Sequence, residues 1–238
     1  MKPCRPRFAG LLLGGFLLLA GCRGVSPSPV QDDAGASPQD ALAAFHAGWP
    51  RALVLAQTAV VEFRGRRFTA LGYCRFNADR DEVALSLQST TGMTLLAVDH
   101  GPEGFRQVNA VLPDIDDPEA AARQLVEDVR RIYLPPTVPP GDCEVRGDRI
   151  WYRWAMPPGR VELLLASANG ELQEQYARRW PYLFRRWTVR YADYRDTPAG
   201  RIPWWICYEN RQYGYTVTLI TREAEIWTTE SAQTLTPE

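Results

Sequence analysis

The feature that most constrains the fold of this chain is a series of about a dozen short segments in which apolar and polar residues alternate. In residues 67–76, for example, Phe68, Cys74 and Phe76 fall on one side of the alternation. A period of two predicts a β-strand with one buried face. The turns between the segments are short, so we expect antiparallel pairing in a large curved sheet, a barrel or a sandwich. The predicted strands are 58–63, 67–76, 82–88, 93–99, 105–111, 149–155, 161–166, 171–178, 183–194, 202–209, 215–221 and 224–228.

Two segments carry helix signals instead. Ser37, followed by Pro38, is a good start for a short helix that runs to about residue 47. Asp117, followed by Pro118, starts a longer helix that runs to about Tyr133. Its apolar residues recur at helical spacing, so we expect this helix to lie across one face of the sheet. The predicted apolar stripe consists of Ala121, Leu125, Val129 and Ile132.

The first 22 residues look like the export signal of a bacterial lipoprotein. Lys2 and two arginines precede a short apolar run over residues 11–19, and small residues then lead to Cys22 in the pattern Leu-Ala-Gly-Cys. The run is shorter than the roughly 20 residues needed to cross a bilayer as a helix. This lipobox resemblance implies removal of residues 1–21 and acylation of Cys22, detectable with palmitate. The alternatives are an ordinary secretory signal or an uncleaved anchor.

Residues 22–37 are rich in Ser, Pro, Gly and Ala and lack a hydrophobic period, which predicts a disordered tether. Residues 38–238 are expected to form a single β-rich domain. Arg23 follows Cys22, where many enterobacterial lipoproteins retained at the inner membrane have aspartate. The expected location is therefore the bacterial envelope, lipid-anchored in the outer membrane and facing the periplasm.

The net charge argues against one class of partner, and the cysteine content leaves two pairing states open. Loss of residues 1–21 removes three of the 27 basic residues and none of the 28 acidic ones, which leaves a formal charge of −4 and argues against a nucleic-acid partner. In an oxidising envelope, two of Cys74, Cys143 and Cys207 can pair, with one thiol left over. Buried, unpaired cysteines are the open alternative.

The sequence carries no signature of catalysis, of a cofactor or of a metal. The two histidines, His46 and His100, have no neighbouring motif typical of a nucleophile. The acidic run near Asp114 and Asp117 lacks the glycine and distal glutamate of a calcium loop, and helix capping explains it better. No phosphate-binding glycine loop occurs in the mature chain. We therefore predict a protein that is not an enzyme, with an envelope hydrolase as the weakest alternative.

The second half of the chain is rich in tryptophan and arginine. Seven of the eight tryptophans lie between Trp151 and Trp227. Trp187 and Tyr191, for example, alternate with arginines on one predicted strand. Such residues fill a core, stack on ligands or line an apolar groove with a charged rim.

Several short motifs resemble those of the Lol-type family of lipoprotein carriers and receptors. They are Gly200-Arg-Ile-Pro203 with Ile206, residues 213–219 (YGYTVTL), residues 68–72 (FTALG), residues 83–87 (VALSL) and residues 92–96 (GMTLL). The resemblance spans roughly residues 55–222. It implies a mainly β fold, an unclosed antiparallel barrel with helices across its concave face and an apolar cavity for acyl chains.

The resulting hypothesis is a membrane-anchored envelope lipoprotein that binds or transfers a lipid or lipidated molecule in a half-barrel cavity of roughly 300 to 1,000 Å³. The alternative is a structural or interaction lipoprotein that recruits an envelope protein and has no ligand cavity. Alternation alone does not tell which face of a strand is concave. The candidate lining residues are Leu85, Leu87, Leu95, Trp187, Val189 and Tyr191.

Overall fold

The residues that the structure describes form one antiparallel sheet with two helices on one of its faces. The computed structural model describes residues 37–110, 117–134, 138, 142–157, 159–166, 169–179 and 185–227. The proposed signal segment, Cys22 and most of the proposed tether lie outside these residues. The helices are α1 (Pro38–Gly48) and α2 (Pro118–Tyr133). The strands are β1 (Ala52–Phe63), β2 (Arg66–Asn77), β3 (Glu82–Ser89), β4 (Thr94–Gly101), β5 (Gly104–Ala110), β6 (Asp142–Arg146), β7 (Arg149–Met156), β8 (Gly159–Ala166), β9 (Leu172–Arg179), β10 (Arg185–Thr197), β11 (Gly200–Asn210) and β12 (Tyr215–Ile226).

The sheet is built from two meanders that meet at its centre. The order of strands is β5-β4-β3-β2-β1-β12-β11-β10-β9-β8-β7-β6. The first and last strands of the sequence, β1 and β12, pair along eleven residues from Leu53 to Phe63. β5 and β6, which flank α2 in the sequence, stand at opposite ends of the order. The predicted mainly β, unclosed antiparallel fold is confirmed.

Three strand predictions differ from the structure for local reasons. β1 starts at Ala52, six residues earlier than predicted, because Leu53-Val54-Leu55 is apolar on both faces and hides the alternation. β12 is one continuous strand, whereas two strands were predicted. A bulge opposite Ala56 and Gln57 shifts the register near Arg222, and this shift interrupts the alternation between the two predicted parts. β6 was not predicted, because four of its five residues are exposed and Glu144 is only partly buried, so the strand presents no buried apolar face. The predicted number of strands equals the number among the described residues, because the missed strand β6 offsets the prediction of β12 as two strands.

The predicted helix starts are confirmed. The hydroxyl of Ser37 accepts a hydrogen bond from the Asp40 amide at 3.2 Å, and the carboxylate of Asp117 accepts one from the Ala120 amide at 2.9 Å. Of the predicted apolar stripe of α2, Ile132 is buried as expected, but the rest of the buried face is shifted by one residue, from Ala121 and Leu125 to Ala122 and Val126. The buried side chains of α2 are those of Ala122, Val126, Asp128, Ile132 and Tyr133, while Leu125 and Val129 lie at the edge of the packed face.

Strand alternation places one face of the sheet under the two helices. We call this the inner face and the opposite one the outer face. The inner-face residues form one continuous core with Ala41 and Phe45 of α1 and with Val126 of α2. Within the described part of the chain, neither helix combines the length and apolar character needed to span a bilayer. Among those same residues, no group of three or more His, Cys, Asp or Glu side chains is placed to hold a metal ion.

Candidate functional site

Five of the six predicted lining residues lie on the inner face. Leu85 pairs with Val98, and Leu87 pairs with Leu96, so all four side chains point toward the helices. The other half of the sheet contributes buried side chains to the same face, those of Trp187, Val189 and Tyr191. Leu95 does not belong to this set. It precedes Leu96 in β4 and therefore points to the outer face, because successive strand residues alternate.

The central residues of the inner face were not among the predicted lining residues. Leu53 and Leu55 of β1, Phe76 of β2 and Ile206 of β11 are almost fully buried on the inner face. Phe76 was visible in the alternation of β2. Leu53 and Leu55 gave no usable signal, since the neighbouring Val54 is also apolar.

α1 closes one end of the inner face through an aromatic contact. The indole nitrogen of Trp49, just after α1, donates a hydrogen bond of 2.7 Å to the backbone oxygen of Tyr133 in α2. The Trp49 ring meets Tyr191 edge to face with 5.6 Å between ring centroids, and it meets Phe45 at 5.5 Å. The Tyr152 hydroxyl donates to the backbone oxygen of Pro38. α1 is thus tied to α2 and to the sheet.

The turn between β8 and β9 accommodates α1 because it contains glycine. Gly170 has a φ of +68°, and a Cβ added there would lie 2.7 Å from the backbone oxygen of Ala41. The left-handed φ and the close approach of the helix backbone both require a residue without a side chain. The Asn169-Gly170 turn therefore also forms part of the α1 contact.

α2 is fastened to the sheet by buried polar groups as well as by apolar packing. The Tyr133 hydroxyl donates to Oε1 of Gln57 at 2.7 Å. The Tyr191 hydroxyl donates to the backbone oxygen of Ile132 at 2.8 Å. The Gln175 amide nitrogen donates to the backbone oxygen of Arg131, which lacks a partner in the next turn because α2 ends at Tyr133. The last turn of α2 is thus bound by side chains from three strands.

The central group of this polar contact is Asp128, on the buried side of α2. Its carboxylate accepts hydrogen bonds from the hydroxyls of Tyr208, at 2.5 Å, and Tyr215. On its own helix, Gln124 and Arg131 each donate to it at 2.7 Å. Burial raises the pKa of Asp128 to about 6, against the opposing effects of the Tyr208 hydrogen bond and the Arg131 charge. We call Asp128, Tyr133, Gln57, Gln175, Tyr191, Tyr208 and Tyr215 the latch.

One space between the helices and the sheet, among the residues that the structure describes, is almost filled. Where α1 and α2 meet over the sheet, the remaining volume is about 10 Å³, room for about one water molecule. The predicted apolar cavity of ligand size is therefore not open at this place. That space is lined by Trp49, Pro50, Leu53, Leu55, Phe76, Tyr133, Ile202, Pro203 and Thr221.

A second, solvent-open cleft of about 550 Å³ lies between β5 and the start of α2. Its walls include the apolar Phe105 and Val108 and the charged Arg106 and Glu119. It therefore has the size of a ligand site but a mixed polar and apolar lining.

The three cysteines of the folded body are free thiols, which is the alternative that the sequence left open beside one disulfide. Cys74 is buried on the inner face in β2, and burial raises its pKa to about 12. Cys207 points to the outer face in β11, next to Arg190 of β10. Three strand spacings separate β2 from β11, about 14 Å, far more than a disulfide bridges. Cys143 is exposed on the edge strand β6.

The two histidines lie apart from this site. His46 is exposed in the last turn of α1. His100 lies in β4, one residue beyond the predicted end of that strand, and its ring meets Phe105 edge to face.

No protein-family model and no curated protein sequence matches this chain. Solved structures do. A LolA superfamily protein from Nitrosomonas europaea, 9% identical, aligns with a TM-score of 0.51 over 82% of this chain and 95% of its own. An outer membrane lipoprotein-sorting protein domain from Vibrio parahaemolyticus, 10% identical, covers 80% and 91% with a TM-score of 0.46. A DUF1329 family protein from Desulfovibrio piger, 8% identical, covers 79% and 91% with a TM-score of 0.47.

The Nitrosomonas alignment includes nearly the whole of that protein, so the likeness in fold extends over most of both chains. The same architecture follows from the strand order and from the helices on the inner face. This chain therefore has the Lol-like fold, an unclosed antiparallel half-barrel with helices across its concave face.

Proposed function

We propose that this protein is an envelope lipoprotein, anchored through Cys22, that binds the acyl chain of a lipid or lipidated molecule on its inner face. α1 and α2 act as a lid that moves aside when the ligand enters. The observation that carries the proposal is the latch, a set of buried hydrogen bonds between lid and sheet over an otherwise apolar surface.

A polar latch suits a lid that opens. Each hydrogen bond contributes about 0.5 to 1.5 kcal/mol net, because water replaces the lost partner when the lid lifts. Apolar contacts lack that replacement, and their exposure costs about 25 cal/mol per Å². A lid that stayed closed permanently would gain more from apolar side chains at these positions than from a buried carboxylate such as Asp128.

Burial of an acyl chain gives more free energy than the hydrogen bonds of the latch contribute, and the same burial replaces the apolar contacts that α2 loses on opening. Five of the hydrogen bonds that join α2 to the sheet involve Asp128, Arg131, Ile132 and Tyr133. Together they contribute on the order of 5 kcal/mol. Burial of an acyl chain of about 15 methylene groups gives roughly 12 kcal/mol at about 0.8 kcal/mol each. The inner-face side chains that α2 covers now are the ones that the chain would then contact, including Leu85, Trp187 and Val189.

The test is binding of a fluorescent fatty acid to residues 37–238, together with native mass spectrometry for lipid that co-purifies. Tyr133→Phe removes the hydroxyl that binds Gln57 and keeps the ring, so the lid opens more easily and the probe binds several-fold more tightly. Tyr73→Phe is the matched control, since Tyr73 is exposed on the outer face. Equal effects of the two substitutions would contradict the proposal.

The second candidate function is an interaction lipoprotein whose own helices permanently fill the half-barrel. The residual space of about 10 Å³ under the helices favours it. In that case neither the unchanged protein nor Tyr133→Phe binds the probe, and no lipid co-purifies. The same experiment therefore separates the two functions.

A further inference from the structure

A positively charged patch lies on the outer face of the second half of the sheet, opposite the lid. Its side chains come from β6 to β10, and ion pairs or ring contacts join them into one group. We call this group the outer arginine cluster. Its arginines are Arg146, Arg153, Arg160, Arg178, Arg185 and Arg190.

The centre of the cluster is one buried carboxylate surrounded by guanidinium groups. The Glu162 side chain is 3% exposed. Its Oε1 lies 2.8 Å from Nε of Arg160 and 3.3 Å from Nε of Arg178, and its Oε2 lies 3.5 Å from Nε of Arg153. The Tyr176 hydroxyl also donates to Oε2. One negative charge thus holds three positive charges in place.

Tyr176 connects this centre to a second, similar arrangement. Arg185 stacks on the Tyr176 ring at 3.9 Å from the centroid, and Arg178 lies 5.2 Å from the same centroid. Arg185 and Arg190 share Glu174 at 2.6 and 3.3 Å. Stacking and shared carboxylates fix the orientation of these long side chains, so little entropy remains to be lost on binding.

The cluster carries more positive than negative charge. Among the described side chains that form it, six arginines meet three glutamates, Glu144, Glu162 and Glu174, an excess of three positive charges. The guanidinium groups also reach the surface, since these side chains are between 26% and 60% exposed. The whole chain has a formal charge of −1, so this excess is local.

We propose that the outer arginine cluster binds a phosphate group. Phosphate oxygens match the fork of a guanidinium group, and several forks at once can bind one phosphate through paired hydrogen bonds. A phosphate group with one or two negative charges lowers the local excess of positive charge without reversing its sign. The group comes either from the headgroup of an anionic phospholipid or from a free phosphate compound. The site does not depend on acyl-chain binding, because it lies on the other face of the sheet.

The experiment is a calorimetric titration of the purified full chain, in neutral detergent at low salt, with two soluble probes. One is inorganic phosphate. The other is glycerophosphoglycerol, the headgroup of phosphatidylglycerol without acyl chains, which cannot occupy the inner face. Saturable binding is expected, and the tighter probe identifies the source, a free phosphate compound or a lipid headgroup.

Two variants locate the site. Arg178→Gln and Arg190→Gln should each weaken the tighter probe about tenfold. Arg190→Gln leaves every contact of Glu162 intact, so it stays informative if Arg178→Gln fails to fold. The matched control is Arg211→Gln, because Arg211 is 49% exposed, like Arg190, but pairs one-to-one with Glu209. The proposal is overturned if neither probe binds saturably, or if the control weakens binding as much as the cluster variants.

Discussion

At the scale of single residues, Asp128 is the group whose environment departs most from what its position on a helix would predict. Ionised carboxylates are seldom buried, because their transfer out of water is costly. Here two tyrosine hydroxyls from the sheet and Arg131 from the same helix compensate part of that cost. The pKa of Asp128 still rises, which shows that desolvation outweighs its partners.

This shift predicts a pH dependence of stability. The pKa of Asp128 rises from 3.8 to about 6 on folding, so the folded protein binds more protons between these values. The free energy of unfolding therefore falls as pH rises from about 4 to 6, by on the order of 2 to 3 kcal/mol from this group. Urea unfolding at several pH values measures this, and Asp128→Asn should remove this part of the slope. Asp79→Asn, at an exposed ion pair with Arg51, should leave it unchanged.

The second prediction at this scale concerns two hairpin glycines with the same left-handed backbone. Gly147, between β6 and β7, has a φ of +59° and open space around it, whereas Gly170 adjoins the α1 backbone. Gly147→Ala should cost only backbone strain, about 1 kcal/mol. Gly170→Ala should cost several kcal/mol in thermal unfolding, because α1 must also move. Equal losses would show that α1 does not rest on this turn.

At the scale of elements, α2 differs from an ordinary amphipathic helix in how its buried face is composed. Val126 and Ile132 pack on the sheet, but Asp128 lies between them on that face, and Tyr133 uses its hydroxyl there. The helix is thus oriented by specific hydrogen bonds as well as by burial. This explains why a stripe chosen by hydrophobicity alone was centred on Leu125 and Val129.

The observed orientation predicts unequal effects of the same substitution at neighbouring positions. Val126 is 2% exposed, whereas Leu125 is only partly buried. Val126→Asp would bury a second carboxylate near Asp128 and should lower the free energy of unfolding by about 3 to 5 kcal/mol. Leu125→Asp, which can reach water, should cost about 1 to 2 kcal/mol. Chemical denaturation of both variants gives the comparison, and a larger effect at Leu125 would contradict this orientation of α2.

At the scale of the whole molecule, the sheet separates two surfaces of different chemistry. The inner face is apolar, covered by α1 and α2, and proposed to take acyl chains. The outer face of the second half carries the arginine cluster. An anionic lipid has both an acyl chain and a charged headgroup, but the two proposed sites lie on opposite faces of the sheet. The two proposals are therefore tested independently.

Attachment to the membrane is a property of the whole molecule that Cys22 is predicted to confer. Cys22→Ala should abolish metabolic labelling with palmitate and leave the protein soluble or as uncleaved precursor. Cys143→Ala is a suitable control, since Cys143 is an exposed thiol of the folded body. Normal labelling of Cys22→Ala would refute the lipoprotein assignment, whereas loss of labelling in the control would point to a different acylation site.

Much of the fold could be predicted from the sequence, because strand alternation and helix capping are local. Phe68, Cys74 and Phe76 alternate over a distance of a few residues, and Ser37 and Asp117 cap their helices within one turn. The same period of two groups Leu85 with Leu87, and Trp187 with Val189 and Tyr191, on one side of their own strands, but only the tertiary structure places both groups on the inner face. The start of β1 was not predicted, because apolar residues such as Val54 also occupy its half-buried face and hide the period of two in the sequence.

The sequence by itself thus determined the antiparallel strands, the two helices and the alternation of faces, since each depends on neighbouring residues. Only the tertiary structure decided what closes the half-barrel. Asp128 meets Tyr208 and Tyr215 across 80 and 87 residues, and Gln57 meets Tyr133 across 76. The outer arginine cluster likewise forms because five strands align their outward residues. Such contacts depend on strand order and on the rotation of α2, and no local periodicity encodes either.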